Sequence, residues 1–110
     1  MKSLKIFLAV TAIFIASSSL AQSKYKEINF SAKGTCGMCE KRIENALDLK
    51  GIKLADWDVK THNCRVIYNT QKYNEMDIHK IVAKFGHTTD KVKATDEAYN
   101  NLHGCCKYDG

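Results

Sequence analysis

The chain has 110 residues, seventeen basic against twelve acidic, with five cysteines and no proline. That length suits one domain with a modest core, and a net charge of +5 spread without a basic run excludes a nucleic-acid footprint. Lys2 and Lys5 lead into an apolar run from Ile6 to Ala16 and then Ser17-Ser18-Ser19-Leu20-Ala21. This order predicts a secretory signal over residues 1–21, cut after Ala21, and so an exported, periplasmic protein. The eleven residues of this run are too few for a membrane span, which needs about 20. The residue immediately after the cut is Gln22 and not cysteine, so the arrangement is not that of a lipoprotein. The remaining 89 residues carry a net charge of +3.

All five cysteines, Cys36, Cys39, Cys64, Cys105 and Cys106, lie after the predicted cut. An exported compartment permits disulfides, but an odd count leaves a thiol free in a monomer. The vicinal pair Cys105-Cys106 meets disulfide geometry only with backbone strain. A purely structural disulfide scaffold is the bland alternative to a thiol site.

Tyr25 to Ala32 alternates, with Ile28, Phe30 and Ala32 on one face, and predicts a half-buried strand. Cys36 and Cys39 follow, three residues apart. Ile43, Ala46 and Leu47 then fall at helical spacing, so a helix is expected from about Met38 to Lys50-Gly51. Two thiols at a helix start meet free amide N–H groups and the positive end of the helix dipole, which favour thiolate. Thiolate is the form that binds soft ions or attacks disulfides.

Ala55, Trp57 and Val59 alternate against Asp56 and Asp58 in a second strand, with Lys60-Thr61-His62-Asn63 as its turn. Cys64 to Asn69 gives a third strand, and Cys64 on its apolar face reads as a small buried hydrophobe. Asn74 caps a second helix in which Ile78, Ile81, Val82 and Phe85 form the stripe, His79 is solvated and Gly86 is the stop. His87 to Ala94, with Lys91 and Lys93, suits an edge strand. A short helix capped by Thr95 brings His103, Cys105 and Cys106 together at its end. The order βαββαβ predicts an α+β, ferredoxin-like fold: a four-stranded antiparallel sheet with two helices on one face, plus the short C-terminal helix and its Cys/His tail.

Thr35-Cys36-Gly37-Met38-Cys39 with Ile43-Glu44 and Ala46-Leu47 resembles the heavy-metal-associated domain of soluble copper chaperones, periplasmic mercury-binding proteins and the metal-binding tails of transporting ATPases. The likeness covers roughly residues 25–94 and divides the chain into a signal (1–21), the domain (22–94) and a tail (95–110). It implies the ferredoxin-like fold and a metal site at Cys36 and Cys39. It also implies a metal-transporting membrane protein as donor or acceptor. One departure stands out: the family has Met two positions before the first cysteine, packed under the metal loop, where this chain has Gly34.

Cys36 and Cys39 are therefore the expected ligands, with Cys105, Cys106, His103 and His87 as additional candidates. The connections after the first strand, between the second and third strands, and after the second helix share one end of this fold, which brings His87 and His62 to the end that holds Cys36 and Cys39. In the resembled family the place of His87 lies beside the loop. His62 reads as an exposed turn residue. By path length the tail can reach the loop if its helix packs antiparallel to the edge strand. Thiolates select Cu(I), which is favoured, then Hg(II); structural Zn(II) needs four ligands. The expected function is an exported Cu(I) carrier or scavenger, not an enzyme. A thiol–disulfide oxidoreductase is the competing reading, set against the missing proline of such active sites. An RNA-binding βαββαβ module lacks the aromatic stacking motif.

Overall fold

The computed structural model describes residues 24–109; the expected signal over 1–21 lies outside the described residues. Three strands form one antiparallel sheet in the order β1-β3-β2: β1 (Tyr25–Ser31), β2 (Ile52–Trp57) and β3 (Asn63–Asn69). Phe30 and Trp57 both sit opposite Cys64, and Ile28 opposite Val66. Alternation along the strands thus delivers one apolar face, from Ile28, Phe30 and Ala32 to Trp57, Cys64, Val66 and Tyr68. Two helices, α1 (Gly37–Ala46) and α2 (Glu75–Lys84), close this face with Cys39, Ile43, Leu47, Ile78 and Val82. No helix among the described residues is long and apolar enough to cross a membrane.

α1 begins one residue before Met38 and ends earlier than its periodicity suggests, because Asp48 and Leu49 turn back onto Asn45 and Leu47. α2 opens with a reciprocal capping box between Asn74 and Asp77. Its buried stripe is Ile78, His79, Val82 and Ala83, while Phe85 is exposed. The expectation of a solvated His79 is therefore corrected. The ring lies against Phe30 at 4.2 Å, and its Nδ1 is 2.7 Å from the Thr89 hydroxyl. Thr89 supplies the polar partner that lets an imidazole face the sheet.

The edge strand expected over His87–Ala94 is the second correction. Lys33 N–H donates to Thr88 O and Asp90 N–H to Ser31 O, but the ladder stops at one isolated bridge, Ala32 to Thr89. There the Thr89 hydroxyl accepts from the N–H groups of Lys91 and Val92, and Thr89 N–H donates to Val92 O. This side-chain turn takes backbone donors that a fourth strand would have spent on β1.

The tail belongs to the same core. After α3 (Asp96–Asn100), capped by the Thr95 side chain, Leu102 and Cys106 are both buried with the sheet and helices. Gly86, at φ 101°, ends α2, and a side chain there would collide with the Ala98 carbonyl and Leu102. The stop signal of α2 is therefore also the seat of α3.

Candidate metal centre

The loop between β1 and α1 rests on Trp57. The indole N–H donates to Ala32 O at 2.9 Å, and a Cβ on Gly34 would come within 3.0 Å of the ring and of Cys39 Cβ. Trp57 thus occupies the ground beneath the loop that a methionine at position 34 would need. His62, in a left-handed turn at φ 63°, stacks on the indole at 5.7 Å, and its carbonyl accepts from Ala32 N–H.

Cys36 is the N-cap of α1, and its carbonyl accepts from the N–H groups of Cys39 and Glu40. Cys39 lies one turn in and is fully buried. Their sulfurs are 3.7 Å apart. From the far end of the chain, the one-turn 3-10 helix Gly104–Cys106 carries a third sulfur to the loop: Cys106 Sγ is 3.9 Å from Cys36 Sγ, and Cys106 is also fully buried. All three sulfurs lie within 4.8 Å of one another. Cys105 points outward, with its thiol 3.8 Å from Met38 Sδ.

The thiols differ in acidity. The backbone N–H of Cys39 holds Cys36 down to about 6, helped by the Cys105 thiol and the Met38 N–H. At neutral pH Cys36 is therefore a thiolate on the open side of the loop. Burial, with the sulfurs of Cys39 and Cys36 alongside, drives Cys106 up, so it keeps its proton until a cation replaces it. The Thr35 N–H donates to Cys39 Sγ at 3.5 Å. Cys64, pushed up to about 12 by burial under the sheet, is outside the cluster and structural, as its strand position suggests.

The other candidates fall outside the sulfur cluster. His87 is buried behind the loop with Nδ1 2.8 Å from the Lys33 carbonyl, which makes that nitrogen the N–H donor. It braces the loop from beneath. His103 is exposed and serves through its carbonyl, which accepts from Cys106 N–H. What sequence reasoning missed is the anchor that aims Cys106. The Tyr108 hydroxyl donates to Gly86 O at 2.6 Å and accepts from Thr88 N–H at 2.9 Å, while the Tyr99 hydroxyl donates to Tyr108 O. The rings of Tyr99 and Tyr108 meet edge to face at 4.9 Å. Two tyrosines bracketing Cys105-Cys106 were the available signal.

Comparison with known proteins bears on the fold and family of the domain. Residues 30–88 match the family described as heavy-metal-associated domain. The fold is shared with the CopZ metallochaperone (21% identity over 58% of this chain and 98% of that one, TM-score 0.55). It is shared equally with oxidised MerP from Ralstonia metallidurans CH34 (20%, 60% and 94%, TM-score 0.56). The Cu(I)-loaded N-terminal domain of a potential copper-translocating P-type ATPase from Bacillus subtilis is 27% identical, over 59% of this chain and 84% of that one, at TM-score 0.56. No curated protein matches the chain.

Proposed function

The chain belongs to the heavy-metal-associated domain family, and from that premise we propose that it is an exported Cu(I)-binding protein that holds the ion on three thiolates, Cys36, Cys39 and Cys106. The observation that carries this reading is the convergence of those sulfurs within 4.8 Å, one of them delivered by the tail. Three soft, anionic donors at one point suit a low-coordinate soft ion. Thiolate Cys36 on the open side makes the first bond, and Cys39 and Cys106 complete the set, the Cys106 proton leaving as the ion binds. The 27% identity to a domain solved with Cu(I) bound adds weight to copper.

A third thiolate lengthens retention, so we read the chain as a scavenger or slow carrier, with a metal-transporting membrane protein as its exchange partner. It is a binding module in this reading, and the ion is its cargo. Hg(II) is the second choice on the same sulfurs. Zn(II) is third, because a structural zinc site closes with four ligands and His103 faces solvent. Thiol–disulfide exchange draws on the same Cys36 thiolate, and catalytic reduction of a disulfide substrate by the metal-free dithiol would mark it.

Anaerobic titration of the reduced protein against competing chelators for Cu(I), Hg(II) and Zn(II) tests the proposal. Cys36→Ser and Cys39→Ser are each expected to weaken Cu(I) binding by about tenfold or more, ~1.4 kcal/mol, with the fold retained. Unchanged affinity in both would remove the site. Export is checked by the mature N-terminus, expected at Gln22.

A further inference from the structure

The vicinal cysteines do different things. One turn of 3-10 helix separates consecutive side chains by about 120°, so the same turn that sends Cys106 into the core sends Cys105 out. There the Cys105 thiol meets the thioether of Met38 at 3.8 Å. Met38 is 45% exposed on the first turn of α1. The Thr35 hydroxyl donates to the Cys105 carbonyl and fastens this segment to the loop. Cys36, half-buried, has the sulfurs of Cys39 and Cys106 at 3.7 and 3.9 Å from its own, and it stands next to the Thr35 that holds the Cys105 carbonyl and two residues before Met38.

Building on the proposed function, we propose that the rim of the loop is a second Cu(I) position, formed by Met38 Sδ and Cys105 Sγ and joined to the inner set through Cys36 as a bridging thiolate. A thioether and a thiolate are both soft donors. The inner ion on three thiolates leaves a net charge of −2, and that excess attracts a second monovalent cation. As the outer ion binds, Cys105 releases its proton to solvent, Cys36 Sγ bridges both ions, and copper stays Cu(I) with no electron transferred. The outer ion, held by two exposed groups and a shared sulfur, is the one exchanged with a partner. The inner ion is the retained one.

The test is anaerobic addition of Cu(I) to the reduced full chain, with native mass spectrometry of the monomer and chelator competition for each step. Two ions are expected, the second weaker. Met38→Leu and Cys105→Ser should each weaken the second step by about tenfold or more while the first step holds. Saturation of the wild-type monomer at one ion overturns the rim position and leaves the inner site standing. Two ions bound equally well by both variants also overturn it. Failure to bind the first ion would instead overturn the proposed function, and this inference with it.

Discussion

Gly34 and Trp57 are one solution to the problem of supporting a thiol loop. A flat indole, anchored by its N–H to Ala32 O, fills the space under the loop, and the residue above it must then lack a side chain. Gly34→Met is therefore expected to destabilise by about 1–3 kcal/mol through overpacking, read as a lower urea midpoint. Shortening Trp57 in the same chain should recover part of that loss. A Gly34→Met protein as stable as wild type would show that the indole does not set the loop height. The departure from the family at position 34 was legible in the sequence. Its cause was not, because Trp57 is twenty-three positions downstream and reaches Gly34 only through the β1–β3 and β2–β3 pairings together.

At the scale of elements, strands and helices with clean periods were readable: β1, β3 and α2 differ from expectation by about a residue, within the ordinary fraying of element ends. The segment after Gly86 was not, since its fate turns on the Thr89 hydroxyl outcompeting a strand ladder. His79 was misplaced for the same reason, its partner being that threonine. The tail was half readable. Thr95, Leu102 and the soft residues at its end announced a docked helix, but the route back depends on Tyr108 gripping Gly86 and Thr88. Tyr108→Phe removes that grip and should cost about 1–3 kcal/mol. Alkylation of Cys106 should quicken several-fold while Cys64 stays protected. Equal protection of Cys106 in both proteins would mean that Leu102, the Thr35 bond to the Cys105 carbonyl and Tyr99 hold the tail without that grip.

For the whole molecule, one core runs from the sheet through both main helices to Leu102 and Cys106, so the metal centre and the fold are coupled. Two imidazoles lie inside it. Burial lowers both His79 and His87 from the ordinary 6.5, against the opposing pull of Asp90 on the first and the Lys33 carbonyl on the second. The unfolded chain takes up protons below 6.5 that the folded chain refuses, so the contribution of these two rings to stability is full above that value and falls as pH drops toward the lowered folded pKa values. Urea midpoints at about pH 7.5 and about pH 5.5 should show this decline when measured in the Cys36→Ser protein, which removes the thiol held down to about 6, and in a range above the ordinary titration of Glu27, Asp58 and Glu75, which their partners lower further. An unchanged midpoint would place both rings in contact with water. The central claim, that the tail supplies a sulfur to the ion, is tested most directly by X-ray absorption of the one-equivalent Cu(I) complex. The account predicts three sulfur scatterers in the wild type and two in Cys106→Ser; two sulfurs in both would contradict it.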